Sequence, residues 1–311
     1  MSTKSNPPEF SADETAFPDR SNNPQRLPSW LKVSARFSPN YHRIKEILAE
    51  NKLHSVCQEA SCPNIRECFG EGTATFLLMG PHCTRGCGFC NVATGRPSGL
   101  DYEEPARLAS VVSELKLKQV VITSVTRDDL PDGGAFIFAN TIELLRKQDN
   151  KVRIEILVPD MRGEVEPIQT MLASGPDVFA HNVETIRRLY PRVRPGADLN
   201  RSLKVLRIAD RYAPRPVVKT GFMVGLGENF DEIRELFGQI YDCGTQIVTV
   251  GQYLRPSRNH LPVEKFYHPD EFLEIAVMGK NIGFQHVETG PMVRSSYRAF
   301  HQSKDILGGQ E

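Results

Sequence analysis

The sequence predicts an incomplete parallel β/α barrel, a partial (β/α)6 fold with an extension at each end. Three observations lead there. From Thr73 onward, short apolar runs alternate with amphipathic stretches, the pattern of strand–helix units on a parallel sheet. Six such repeats favour a barrel over the alternative, a doubly wound sheet. A cysteine-rich loop follows the first run directly, and β/α barrels carry their reactive groups at the C-terminal ends of strands.

Residues 1–27 hold Pro7, Pro8, Pro18 and Pro24 among Ser, Asn, Asp and Glu, and contain no apolar stretch of the kind a signal peptide needs. Glu9, Asp13, Glu14 and Asp19 are acids that a transit peptide avoids, so the expectation is a disordered tail on a cytoplasmic protein. An N-terminal extension follows over residues 28–72. It opens with a helix at residues 41–51, where Ile44, Ile47 and Leu48 keep helical spacing and Ser38-Pro39 supply a cap and a first-turn proline. The stretch beyond it shows no clear period.

The barrel is expected over residues 73–290. Its strands are read at 74–79, 119–125, 154–158, 177–180, 217–226 and 246–253, and its helices at 105–117, 136–148, 183–190, 201–212 and 230–242. Glu103-Glu104 reads as a first helical turn, where negative charge suits the dipole. Residues 291–311 form a C-terminal segment.

Lys plus Arg and Asp plus Glu are 38 each, which argues against a nucleic-acid footprint or a polybasic membrane anchor. No apolar run is long enough for a transmembrane helix. Neither nucleic acid nor membrane is an expected partner.

Seven cysteines in a neutral chain suit metal or catalytic thiols in a reducing compartment better than a disulfide framework. Six form two triplets, Cys57, Cys62 and Cys68 (C-x4-C-x5-C), then Cys83, Cys87 and Cys90 (C-x3-C-x2-C). A cubane iron–sulfur cluster has four irons and takes four cysteines, so each triplet leaves one iron to another ligand. Gly86 and Gly88 permit the tight wrap that three thiolates within eight residues demand. The bland alternative is half of a zinc site with His82 as fourth ligand, but structural zinc favours paired knuckles and this spacing offers one. Cys243, left over, reads as a small buried apolar side chain.

The C-x3-C-x2-C loop, with Phe89 before its third cysteine and a strand before it, resembles the radical S-adenosylmethionine superfamily. The first triplet narrows the likeness to the lipoyl synthase family, and residues 123–134, 221–228 (GFMVGLGE), 251–262 (GQYLRPSRNHLP) and Arg294-Ser295-Ser296-Tyr297 continue it over about residues 28–300. The resemblance implies two [4Fe–4S] clusters. Cys83, Cys87 and Cys90 would hold the one whose open iron is chelated by S-adenosylmethionine, which is cleaved to a 5′-deoxyadenosyl radical. Cys57, Cys62 and Cys68 with Ser296, or alternatively Ser295, would hold an auxiliary cluster whose sulfides are consumed. Gly133 and Gly134 match the glycine strip that meets the methionyl amino group, but Ala135 stands where the superfamily has an acid. Asn182 and Glu184 would bind ribose or the methionyl end, although Asn182 also reads as a cap for a helix beginning at Val183. Arg192 and Arg194 would face an acidic partner surface or simply solvent.

The implied reaction inserts two sulfur atoms, at C6 and C8, into an octanoyl chain amide-linked to a lysine of a lipoyl carrier domain, using two S-adenosylmethionine molecules per product. Implied partners are the octanoylated domains of 2-oxoacid dehydrogenase E2 subunits and glycine cleavage H protein, a low-potential donor such as ferredoxin or flavodoxin, and a cluster-repair protein. Two other readings stand beside this one: a different sulfur-inserting radical enzyme resembling biotin synthase, and a non-enzymatic iron–sulfur carrier or zinc adaptor.

Overall fold

The computed structural model describes residues 27–32, 38–71 and 73–308. Residues 1–26 of the expected tail lie outside the described residues. Residues 1–32 and 33–311 separate as two units, and in the first, Ser29–Leu31 form one turn of 3-10 helix closed by Lys32 N–H on Ser29 O.

The second unit is built on seven strands that pair in parallel and in chain order: β1 (Thr75–Leu78), β2 (Gln119–Ser124), β3 (Arg153–Leu157), β4 (Val178–Ala180), β5 (Val217–Val224), β6 (Ile247–Gln252) and β7 (His286–Gly290). Sequential neighbours joined by helices are the signature of a barrel rather than a doubly wound sheet, in which strand order reverses. Among the described residues β1 and β7 do not pair with each other, so the barrel is partial. The sixth repeat is followed by a helix and a seventh strand that were absent from the sequence reading. His286-Val-Glu-Thr-Gly is only partly buried, and its weak apolar content explains the omission.

The flanking helices are α1 (Glu104–Glu114), α2 (Ala135–Gln148), α3 (Val165–Ala173), α4 (Leu199–Asp210), α5 (Phe230–Tyr241) and α6 (Pro269–Ile282). Asn229 and Glu232 close a capping box at the start of α5, satisfying two otherwise orphan N–H groups. One face of the sheet, with Ile154, Ile156, Phe179, Val218, Val248 and Val250, joins the helices in the main core. On the other face, Val178, Val217 and Ile247 pack Ile306 and Leu307 of the C-terminal helix Ala299–Leu307. Arg153 of β3 donates to Ser303 at 3.3 Å and lies 4.9 Å from the Phe300 ring. The last helix is therefore laid across the sheet face opposite the six flanking ones.

Two expectations need correction. Residues 183–190 do not form a helix: Glu184 has φ +64°, donates its N–H to Gly221 O at 3.1 Å and accepts from Met223 N at 2.9 Å. Its backbone groups extend the sheet beside β5, which leaves only a 3-10 turn at Arg187–Leu189 and a short helix at Tyr190–Val193. Asn182 consequently caps no helix. The first cysteine triplet also sits on more regular structure than its missing period suggested. Edge strand His54–Ser55 pairs antiparallel with β1, and the helices Val56–Glu59 and Ile65–Gly70 follow. The N-terminal helix Pro39–Glu50 is capped by Ser38, which accepts from Tyr41 N at 3.2 Å, as expected. Among the described residues no helix is long and apolar enough to cross a membrane.

Candidate iron–sulfur and cofactor site

Each loop that follows a barrel strand contributes to one end of the fold. The C-x3-C-x2-C loop follows β1, residues 125–134 follow β2, Asn182 and Glu184 follow β4, residues 253–262 follow β6, and residues 291–297 follow β7. Parallel strands bring these C-terminal ends together, so residues as far apart as Cys90 and His260 become neighbours.

The loop after β1 is fastened by four bonds to three others. Thr84 donates to Thr126 O at 2.9 Å, Gly88 N–H to Val193 O at 3.0 Å, Leu261 N–H to Gly88 O at 3.1 Å, and His260 Nε2 lies 3.0 Å from Cys90 O. Gly88 is needed for this approach, since a Cβ there would fall 2.9 Å from Leu261 and 3.1 Å from Arg192 O. Arg85 forks onto Asp128 at 2.7 and 2.8 Å and reaches Asp160 at 2.8 Å, and those carboxylates push its pKa above the ordinary arginine value despite burial. Glu104, read as a dipole residue, does more. It is buried and its carboxylate accepts from Met79 N at 2.8 Å, fixing the chain as it leaves β1; burial raises its pKa. Nothing in the local sequence distinguishes it from Glu103.

Backbone N–H groups of Arg85 and Thr126 donate to Cys83 Sγ at 3.4 and 3.3 Å, bonds of the kind that tune cluster potentials. Burial raises the Cys90 thiol to about 12, with the Cys87 and Cys83 charges adding to it, and raises Cys87, where Arg194 pulls the other way. In the first triplet burial lifts Cys57 to about 11 and Cys68 to about 12, and both feel neighbouring thiols of the same triplet. As thiolates, the neighbours within each triplet would repel one another, and a strong local positive charge would stabilise them. Among the described residues no three His, Cys, Asp or Glu side chains converge on one metal ion. A cubane asks for a different arrangement, in which each thiolate sits on its own iron.

The first group is walled by the C-terminal segment. Burial raises the Cys62 thiol, while the Asn64 backbone N–H and the Arg294 guanidinium draw it down. Asn64 donates to Met292 O at 2.7 Å, Tyr297 OH to Glu67 at 2.7 Å and Arg298 to Glu67 at 3.1 Å. The Arg-Ser-Ser-Tyr stretch, about 230 residues away in sequence, is therefore folded onto the triplet. Ser295 donates its hydroxyl to Asn182 Oδ1 at 2.8 Å. Ser296, its neighbour, is the serine free of such a bond among the hydrogen bonds seen.

Gly133 and Gly134 both have positive φ, +62° and +91°; a Cβ on Gly133 would lie 2.8 Å from Met161 Sδ, and one on Gly134 would overlap Met79 Sδ. Asp132 accepts from Gly134 N at 3.0 Å and Phe136 N at 2.8 Å, which satisfies a first-turn N–H of α2 and holds the glycine pair. Asn182 lies beside Glu184, whose pKa is raised by burial against the pull of Arg194. Arg194 is buried, donates to Asn182 O at 3.0 Å and has an unpartnered Nε, so it faces neither solvent nor a partner surface. Arg192 pairs with Glu264 at 3.1 Å. His181, missed in the sequence, is buried with Nδ1 on Val158 O at 2.8 Å and Nε2 unpartnered; burial lowers its pKa to about 4. Gly225 and Leu226 N–H groups donate to buried Glu228 at 2.6 and 3.0 Å, so the GFMVGLGE loop closes on itself. Cys243 is buried with its thiol on Gln239 O at 3.0 Å, matching the apolar reading.

A family model described as the radical SAM superfamily matches residues 77–240, and one for the N-terminal domain of lipoyl synthase of that family matches residues 2–62. Among solved structures, methylornithine synthase aligns with a TM-score of 0.51 at 15% identity over 88% of this chain and 89% of its own. Streptococcus suis SuiB bound to S-adenosylmethionine aligns at 0.54 and 12% identity, over 78% of this chain and 57% of its own; both likenesses concern the fold. Partial barrel and loop together define the class, a radical S-adenosylmethionine enzyme. The lipoyl synthases of Rubrobacter xylanophilus and Syntrophotalea carbinolica are each 50% identical to the chain, over 91% and 90% of it and 88% and 91% of their own lengths. The chain belongs to the lipoyl synthase family. Its reaction inserts two sulfur atoms, at C6 and C8, into an octanoyl chain held on a lipoyl carrier protein, with S-adenosylmethionine and [4Fe–4S] clusters as cofactors. The biotin-synthase-like and non-enzymatic readings fall away.

Proposed function

We propose that Cys83, Cys87 and Cys90 hold the cluster that engages S-adenosylmethionine, and that Cys57, Cys62, Cys68 and Ser296 hold the auxiliary one. The observation that carries this assignment is the docking of residues 292–298 on the first triplet, with Arg294 beside Cys62 and Tyr297 and Arg298 on Glu67. Ser295 is engaged by Asn182, which favours Ser296 as the iron ligand. A seryl oxygen is a harder and more easily displaced donor than thiolate, suiting an iron that is given up.

When bound, the groups supply a carbon-centred radical at one site and sulfur at the other. The chain's own residues orient and enclose. Gly133 and Gly134 offer backbone to the methionyl end, with Met79 and Met161 packed behind them, and Asn182 and Glu184 supply the amide and carboxylate that face it. The missing acid at Ala135 shifts recognition of the amino group toward Glu184. Arg194, withdrawn from water, stabilises the negative charge gathered around Cys87 and Glu184.

The carrier substrates in this reading are octanoylated domains of 2-oxoacid dehydrogenase E2 subunits and glycine cleavage H protein. A ferredoxin or flavodoxin supplies electrons, a repair protein restores the consumed cluster, and thiols that must stay reduced suit the cytoplasm. The four-part division at residues 27, 72 and 290 stands as part of the proposal. The test is anaerobic incubation with an octanoyl-lysine peptide, dithionite and S-adenosylmethionine, followed by mass spectrometry. A product gaining first one and then two sulfurs is expected; a peptide that gains none from an enzyme carrying about eight irons per chain, the content of two cubanes, overturns the assignment.

A further inference from the structure

Ser295 adjoins the serine assigned to iron, and its contact runs the other way, toward the cofactor end of the barrel. Its hydroxyl donates to Asn182 Oδ1 at 2.8 Å. Both atoms sit over Gly221 of β5, where an added Cβ would lie 2.7 Å from Ser295 Oγ and 3.0 Å from Asn182 Oδ1. The bond exists because position 221 has no side chain.

On one side of this bond the chain is clamped to the first cysteine group. Arg294 lies within Coulombic reach of Cys62, Asn64 holds Met292 O, and Tyr297 and Arg298 meet on Glu67. On the other side Asn182 borders Glu184 and its carbonyl accepts from Arg194, and both of those charged groups act on Cys87. The backbone of the 182–184 turn is held by Arg194 on Asn182 O, Tyr190 OH on Val183 O at 2.7 Å and the two bonds of Glu184 to β5 at positive φ, while Ser295 holds the Asn182 side chain from residues 292–298. A hydroxyl–amide bond is thus the direct link between the segment walling one thiol group and the turn facing the other.

We infer that Ser295 is a positioning residue that couples the two metal sites, so that release of residues 294–297 from the first cysteine group also frees the Asn182–Glu184 turn. The inference rests on the assignment of Ser296 and of the two triplets above. It deepens that assignment by giving the serine pair a division of labour: Ser296 binds, and Ser295 reports whether Ser296 is bound. Spending the auxiliary cluster would then loosen the cofactor face between the first and second sulfur insertions.

Hydrogen exchange on the full chain tests this without turnover. In loaded Ser295→Ala, amides of residues 181–185 and 292–298 are both expected to exchange about fivefold faster than in the loaded wild type, the size of one lost hydrogen bond. Those of Gln119–Ser124 should not change, which controls for misfolding. Ser295→Thr keeps the hydroxyl and is expected to restore both segments. In the loaded enzyme Ser295→Ala should raise the 5′-deoxyadenosine formed per sulfur inserted about two- to threefold, an uncoupling that a general loss of stability would not give. Faster exchange in residues 292–298 with 181–185 unmoved, or an unchanged 5′-deoxyadenosine-to-sulfur ratio, overturns the coupling. Failure of the underlying assignment looks different: Ser296→Ala would then insert sulfur at the wild-type rate, whatever Ser295→Ala does.

Discussion

The two cysteine groups share a donor count and differ in how the chain holds them. Cys83, Cys87 and Cys90 lie on a single loop that leaves β1 and is stitched by backbone and side-chain bonds to residues 126, 193 and 260–261. Cys57 and Cys68 lie on short helices added to the sheet edge and Cys62 on the link between them, and their wall comes from far along the chain, residues 292–298. A loop embedded in the barrel suits a site that must stay the same through each turnover. A site assembled from two segments distant in sequence suits a centre that is dismantled and rebuilt.

The sharpest way to break this comparison is to remove one thiol from each group. Cys83→Ala is expected to bring both 5′-deoxyadenosine formation and sulfur insertion to background. Cys62→Ala should keep 5′-deoxyadenosine formation and lose sulfur gain, and equal loss of both products in the two variants, read by mass spectrometry, would erase the distinction between them. A smaller effect follows from Gly134→Ala, which places a Cβ against Met79 at φ +91°; the strain costs about 1–3 kcal/mol. A lower melting temperature and a raised KM for S-adenosylmethionine should appear together, with sulfur content of the auxiliary site unchanged.

Glu104→Ala removes the acceptor for Met79 N–H and should cost about 1–3 kcal/mol in urea unfolding. The charge on Glu104 has its own signature. Burial raises its folded pKa, so the native state binds the extra proton and stability falls as pH rises from the ordinary carboxylate range through the raised value. Glu104→Gln should flatten that decline. The smallest change is expected from Tyr297→Phe, which loses a half-exposed bond to Glu67 worth about 0.5–1 kcal/mol. Its effect should be confined to iron retention at the first group, measured as irons lost on anaerobic dialysis.

The barrel was legible because its strands are short apolar runs with regular spacing, and the radical loop because three cysteines and two glycines crowd one turn. β7 escaped notice because His286 and Glu288 break its apolar pattern. The supposed helix at residues 183–190 had helical spacing, but Glu184 spends its backbone bonds on β5, a tertiary choice that no local period records. Glu104, His181 and Arg194 carry site geometry through burial and long-range bonds, which single residues do not advertise. The serine segment was readable only through resemblance, since Ser-Ser-Tyr has no metal-binding signature by itself.

Residues 292–298 complete the wall around cysteines that lie some 230 positions earlier in the sequence. The loop after β1, by contrast, has its partners at residues 126, 193 and 260–261, all of them upstream of residue 292. Synthesis from the N-terminus therefore completes the surroundings of the loop after β1 before it completes those of the first cysteine group.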